Sequence, residues 1–258
     1  MRDLLAPGQC EVLERLARSR ALLAFDYDGV LAPLAADPGG AALPGGTRRL
    51  LARLARAWPC AIVSGRSYNY LWRATSGVVP HLVGNHGFEL LRPRPLPRAL
   101  RARARAWRAG MERGLAGVPG VYLEEKGATF AVHYGLGPRK ARAERAVLAC
   151  ARRLEGVRLV PGKRVVNVLP REFPDKGDAV RALLAHLGLD TALFLGDDVT
   201  DESAFALGSP LVVGVRVGRG PTRAAYRLAG IEAVRELLRR LASLRPAGRG
   251  PALASRAR

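Results

Sequence analysis

Leu22-Leu23-Ala24-Phe25-Asp26-Tyr27-Asp28-Gly29-Val30 is the stretch from which the fold of this chain can be read. Four apolar residues, the length of a short buried strand, run directly into two carboxylates spaced i, i+2 and then a glycine. A buried strand that ends on unpaired acids is costly, because desolvated carboxylates demand a cation or a dense set of donors. A divalent metal at the C-terminal edge of the strand would remove that cost. An ordinary Asp-Gly turn would instead leave both acids in water.

The flanking sequence extends this strand into a parallel unit. Residues 11–18, with Val12, Leu13 and Leu16, predict a short amphipathic helix leading into it. A Pro/Gly-rich loop over 33–46 follows, then a helix over 47–57 with Leu50, Leu51 and Leu54 inward. Ala61-Ile62-Val63 predicts a second strand closing on Ser64-Gly65-Arg66, and His81-Leu82-Val83 a third ending in Gly84-Asn85-His86-Gly87. Strand–helix–strand in so short a span implies parallel pairing with a right-handed crossover.

From about residue 88 to 170 the pattern changes. Leu100, Ala104, Trp107 and Met111 mark one helix face, followed by expected strands over 121–125 and 129–134. Ala143, Val147, Cys150 and Leu154 repeat the spacing, followed by strands over 157–160 and 165–169. Helix-strand-strand occurring twice predicts a small α+β domain of two similar halves. The βα alternation then resumes. Val180, Leu183, Leu184 and Leu187 line a helix stopped by Gly188, and Leu193-Phe194-Leu195 is a strand ending at Gly196-Asp197-Asp198. Residues 211–215 form a further strand, and Ile231, Val234, Leu238 and Leu241 line a last helix. The expected fold is α/β, a Rossmann-like doubly wound parallel sheet over 1–88 and 171–245 with an inserted α+β cap over 89–170. Residues 246–258, rich in Pro, Gly, Ala and Arg, read as a frayed tail. In such sheets ligands bind outside the carboxyl ends of the strands, where Asp26, Asp28, Ser64 and Asp197 fall.

Composition narrows the function classes. An apolar content of 48% supports a buried core, and the net charge of +20, from 42 basic and 22 acidic residues, raises nucleic acid as a partner. The basic residues are spread along the chain, however, and Lys126, Lys140, Lys163 and Lys176 are its only lysines. An Arg-, Ala-, Gly- and Pro-heavy chain of this kind reflects compositional drift rather than a basic groove, so no specific nucleic-acid partner is expected. Cys10, Cys60 and Cys150, an odd count without a CxxC, read as reduced thiols of an intracellular protein. No apolar run approaches membrane-spanning length and no signal-peptide layout opens the chain, so a cytoplasmic monomer without membrane contact is the expectation.

Four features recur in order: Asp26-x-Asp28, Ser64, Lys176 and Gly196-Asp197-Asp198-Val199-Thr200-Asp201. Each has an ordinary structural explanation alone, since a serine caps helices, a lysine is solvated and acids favour helix N-termini. Together, on one edge of one sheet, they resemble the haloacid-dehalogenase-like (HAD-like) phosphatases. More closely, the chain resembles the trehalose-6-phosphate phosphatase family, through Asp26-Tyr27-Asp28-Gly29 with Leu31-Ala32-Pro33, Ser64-Gly65-Arg66, Gly84-Asn85-His86-Gly87-Phe88-Glu89, Lys176-Gly177 and Gly196 to Glu202. That resemblance implies a Mg²⁺-dependent hydrolase of a sugar phosphate, trehalose 6-phosphate, acting through an aspartyl-phosphate. It implies Asp26 as nucleophile, Asp28 as acid and base, and Ser64 and Lys176 on the phosphoryl oxygens. The metal would be held by Asp26, the backbone carbonyl of Asp28 and Asp197, with Asp198 and Asp201 in support. The resemblance also implies substrate binding by Arg66, Asn85, His86, Glu124, Lys126, His133, Lys163 and Asn167.

The chemistry agrees with that assignment. A phosphate ester dianion repels a carboxylate nucleophile, so attack needs strong charge neutralisation, and oxygen-only ligands suit a hard cation. Three positions depart from the family pattern. Val30 stands where a Thr is usual, Gly135 where an Arg follows His-Tyr, and Asn167 where a sugar-binding Glu is expected. An amide both donates and accepts, so the sugar preference could shift to a sucrose-, glucosylglycerate- or mannosylglycerate-type phosphate. A polyanion-binding protein and a regulatory domain of a synthase–phosphatase complex are the competing classes.

Overall fold

The structure, a computed structural model, describes residues 2–34, 42–95, 97–126, 129–135, 140–162 and 164–244, with Lys126 described by its backbone alone. Lys163 and the expected 246–258 tail lie outside the described residues. In chain order the elements are β1 (Arg2–Asp3), α1 (Cys10–Arg18), β2 (Ala21–Phe25), α2 (Gly45–Ala55), β3 (Cys60–Val63), α3 (Tyr68–Thr75), β4 (His81–Gly84) and β5 (Glu89–Leu90). Then come α4 (Arg98–Gly114), β6 (Tyr122–Lys126), β7 (Thr129–His133), α5 (Lys140–Ala151), β8 (Val157–Gly162) and β9 (Val165–Pro170). The chain closes with α6 (Lys176–Leu187), β10 (Thr191–Gly196), α7 (Glu202–Phe205), β11 (Val212–Val217), β12 (Tyr226–Leu228) and α8 (Ile231–Leu244).

Two compact units form. One holds the chain up to Pro93, Pro174–Asp197 and the chain from Asp201 onward; the other holds Arg94–Phe173 with Asp198–Thr200. The first unit is built on a sheet of order β1-β12-β11-β10-β2-β3-β4-β5, parallel except for the antiparallel β4–β5 pair. From β2 the chain winds outward through β3 and β4, and from β10 it winds the other way through β11 and β12. The reversal therefore lies between β2 and β10, where such sheets bind ligands.

Every residue of β2 is buried, because both faces of this sheet are covered. Leu23 and Phe25 enter one core with Leu193, Leu195, Leu237 and Leu241, while Leu22 and Ala24 enter the other with Phe194, Val180 and Leu183. Burying a side chain of this size contributes about 1.5–3 kcal/mol, so the central strands are the most strongly anchored part of the chain. Helix α6 starts at a reciprocal capping box between Asp175 and Asp178 and stops at Gly188, whose φ of 61° satisfies the left-handed cap.

The second unit is a sheet of order β6-β7-β9-β8, antiparallel throughout. Leu100, Ala104, Trp107 and Met111 are buried on α4, the face read from their spacing. On α5 the buried line is Ala143, Val147 and Ala151, because the helix ends at Ala151 and so excludes Leu154. Both helices cover the sheet face formed by Phe130, Val132, Val166 and Val168. Helix α3, which the sequence reading did not anticipate, is a short segment capped by the Ser67 side chain. No helix among the described residues is long and apolar enough to cross a membrane.

Candidate active site

The C-terminal ends of β2 and β10 meet directly, since the Asp26 N–H donates to the Leu195 carbonyl at 2.8 Å. This brings Asp26 beside Asp197 and Asp201. Carboxylate oxygens of Asp26, Asp197 and Asp201 all lie within 4.8 Å of one another. Lys176, the first residue of α6, places its ammonium 2.7 Å from Asp26 Oδ2 and 2.6 Å from Asp201 Oδ1. The other Asp26 oxygen accepts the Tyr27 N–H at 2.6 Å. Asp26, Lys176 and Asp201 are 5%, 2% and 0% exposed, so these charges interact with little screening by water.

Glycines make this proximity possible. Gly29 has a φ of 72°, and a Cβ there would lie 2.2 Å from Asp197 Oδ2. A Cβ on Gly196 would lie 2.3 Å from the Asp201 carboxyl carbon. Any larger residue at either position would push a carboxylate out of the cluster.

Burial pushes the Asp26 carboxyl well above the ordinary carboxylate range; Lys176 opposes this, while Asp201 and Asp197 add to it. For Lys176, burial works against the charge, but the Asp201 and Asp26 carboxylates outweigh it and raise the ammonium above its usual range. Both shifts are upward, which favours the charge on Lys176 and opposes it on Asp26. Lys176, held between two carboxylates, stays charged, while burial, the largest cause, works against the charge on Asp26. An all-oxygen donor set with surplus negative charge fits a hard divalent cation such as Mg²⁺.

The remaining candidates of this unit are bonded among themselves in two groups. Arg66 grips Asp28 through both oxygens, Nε to Oδ2 at 2.8 Å and Nη2 to Oδ1 at 2.9 Å. Its guanidinium lies 4.8 Å from the centre of the Tyr70 ring, which meets Tyr27 edge-on. Arg66, expected among the substrate-binding residues, thus also orients Asp28. The buried Ser64 accepts the Arg66 N–H on its Oγ at 3.3 Å. Its carbonyl accepts the His86 N–H at 3.0 Å. Asn85 and His86 adopt φ of 48° and 59°, and the His86 ring packs so tightly on Gly65 that a Cβ there would lie 2.7 Å from it.

In the second unit, strand register gathers the candidates on the sheet face opposite the helices. Glu124 pairs with Ala131, which pairs with Asn167, and Tyr122 pairs with His133 one row along. Glu124 Oε2 lies 3.0 Å from His133 Nε2, and the Asn167 amide donates to the Val160 carbonyl at 3.4 Å. Lys126 shares the strand and alternation of Glu124. At Gly135 the space a side chain would need is filled by the stem of Arg164, 2.6 Å from the position of a Cβ. Tyr122 was not among the sequence candidates, although its position two residues before Glu124 puts it on the same face.

Known proteins share this fold. A solved HAD-superfamily subclass IIB sugar phosphatase superposes with a TM-score of 0.57 at 15% identity, over 85% of this chain and 98% of that one. The C-terminal domain of Candida albicans trehalose-6-phosphate phosphatase superposes with a TM-score of 0.76 at 24% identity, over 90% of this chain and 96% of that one. The fold is therefore that of the HAD-like phosphatases, a doubly wound core with a cap.

Sequence comparison narrows the class. Residues 24–231 match the family model for trehalose-phosphatase. Escherichia coli K12 trehalose-6-phosphate phosphatase is 35% identical over 80% of this chain and 81% of its own length. A bifunctional trehalose-6-phosphate synthase/phosphatase of Thermoproteus tenax is 35% identical over 86% of this chain. This chain spans 32% of that protein's length and 62% of the Mycobacterium marinum trehalose-phosphate phosphatase. The chain belongs to the trehalose-phosphatase family.

Proposed function

We propose that this chain is a Mg²⁺-dependent phosphatase that hydrolyses trehalose 6-phosphate to trehalose and phosphate. The observation that carries the reading is the Lys176 ammonium held between Asp26 and Asp201, with Asp197 completing the carboxylate cluster where the sheet reverses its winding. Family membership supports the same reaction. Asp26, Asp197 and the backbone carbonyl of Asp28 are the groups that would hold the metal. When bound, it supplies positive charge that offsets the repulsion between the phosphate dianion and the attacking carboxylate.

Asp26 attacks phosphorus, and the P–O bond to the sugar breaks as Asp28 gives its proton to the leaving oxygen. Asp28 then accepts a proton from water, whose oxygen attacks the aspartyl-phosphate, releasing phosphate and restoring Asp26. Lys176 opposes protonation of Asp26 ahead of the first step. Arg66 engages both Asp28 oxygens, the acceptor state in which Asp28 takes a proton from water, and one oxygen leaves that grip for Asp28 to carry the proton to the leaving group. Ser64 completes the phosphoryl-binding set. Glu124, His133 and Asn167, on one sheet face of the second unit, read the sugar together with Lys126 of the same strand as Glu124.

A second reading keeps the chemistry and changes the sugar. Asn167 places an amide where a carboxylate would accept hydroxyl hydrogen bonds, which favours a related sugar phosphate. Phosphate release measured over a panel of disaccharide and glyceryl-glycoside phosphates, with and without Mg²⁺, separates the two. Trehalose 6-phosphate as the best substrate, with activity lost on chelation, is the expected result. Preference for another member would move the assignment to that sugar, and no release from any would overturn the phosphatase reading.

A further inference from the structure

Tyr122 has no part in the proposed chemistry, yet its surroundings have a definite shape. Its ring lies parallel to that of His133, with centroids 4.4 Å apart and planes 5° from coincidence. A cross-strand aromatic pair stabilises a sheet, and that alone could account for the contact. Two observations go further. Tyr122 remains 38% exposed, while its chain neighbour Leu123 packs with the helix-covered core. It also sits on β6, one of the two edge strands of its sheet, where an exposed aromatic is a pairing liability that charged residues normally replace. Glu124, Glu125 and Lys126 follow that rule on the same strand, and Tyr122 does not.

We propose that the Tyr122–His133 pair is a stacking platform for the apolar C–H face of a pyranose ring of the substrate, with Tyr122 a specificity-determining residue. A pyranose presents one flat face of C–H bonds and a rim of hydroxyls. Because the two rings stack face to face, the matching surface is the outer face of Tyr122 on the edge strand, backed by His133, with the Glu124 carboxylate 3.0 Å from His133 beside the pair. A phosphoryl group has no apolar face and is repelled by Glu124, so the platform takes the sugar end of the molecule. Glu124 holds the His133 ring in the plane that Tyr122 needs. The inference rests on the sugar-phosphatase reading and adds a residue to it.

The test compares wild type with Tyr122→Phe, Tyr122→Leu and Tyr122→Thr on the best sugar phosphate and on p-nitrophenyl phosphate, which has no sugar. The readout is the ratio of the two kcat/KM values. Phe keeps the ring and should keep the ratio. Leu and Thr suit an edge strand but lack the ring, so the ratio should fall roughly three- to tenfold, through KM rather than kcat. Inhibition of p-nitrophenyl phosphate hydrolysis by the neutral sugar product should weaken by the same factor. An unchanged ratio in Leu and Thr, or equal losses on both substrates, would overturn the platform and leave the sugar-phosphatase reading intact. A wild type that cleaves p-nitrophenyl phosphate but no sugar phosphate would overturn both.

Discussion

Replacing Lys176 with methionine tests the charge arrangement on which the proposed chemistry depends. Methionine keeps the length and apolar stem but removes the ammonium from between two carboxylates. At 2.7 Å and an effective dielectric of about 20, each contact amounts to roughly 6 kcal/mol of gross Coulomb attraction. Desolvation of the buried ammonium offsets much of this, and loss of one partner of a buried ion pair costs about 3–5 kcal/mol. For a domain of this size that corresponds to a fall in Tm of about 6–20 °C. The pH dependence gives the sharper signature. Asp26 already has a raised carboxyl in the fold, so its contribution is present below the ordinary carboxylate range and lost as pH rises through the folded value. Without Lys176, which opposes that rise, the folded value climbs further and the loss extends to higher pH. The stability gap between wild type and Lys176→Met should therefore narrow as pH falls from about 8 to about 5. Urea unfolding in the presence of a chelator, across that range, measures it. A gap under about 1 kcal/mol at neutral pH, or one that widens on acidification, would refute the reasoning.

Four further outcomes are expected. Asp26→Asn should leave phosphate release at no more than a few per cent of wild type, with a native circular-dichroism spectrum; higher turnover would remove Asp26 from the nucleophile role. Gly29→Ala should cost about 1–3 kcal/mol, because φ is 72° and the new Cβ meets Asp197 at 2.2 Å, and should raise the Mg²⁺ concentration for half-maximal activity. An unchanged Mg²⁺ requirement would argue against Asp197 as a ligand. Arg66→Ala should depress turnover of methyl or phenyl phosphate at least about tenfold more than that of p-nitrophenyl phosphate, whose leaving group needs no proton; equal losses would mean that Arg66 does not act through Asp28. Asn167→Glu should raise kcat/KM on trehalose 6-phosphate by roughly tenfold, the value of one charge-assisted hydrogen bond, and no change would show that this position does not read the sugar.

The layering of the fold was legible in the chain because its signals are local. Residues 22–25 and 193–195 are apolar at strand length, and the face of Leu100, Ala104, Trp107 and Met111 repeats at helical spacing. Burial on both faces demands such runs, so element type and order follow from them. Helix α3 escaped because a short helix carrying Tyr68, Tyr70 and Trp72 has little periodicity, and tertiary contact rather than propensity holds it. The site divides in the same way. The DxD spacing places Asp26 and Asp28 at a strand end in any parallel sheet, so their neighbourhood could be read early. That Asp28 turns to Arg66, 38 residues away, while Asp201 shares Lys176 with Asp26, depends on how β2, β10 and α6 meet. Likewise only the register of β6 on β7 stacks Tyr122 on His133. Side-chain pairing between distant segments is set by the directions of packed elements, and one-dimensional pattern carries no information about those directions.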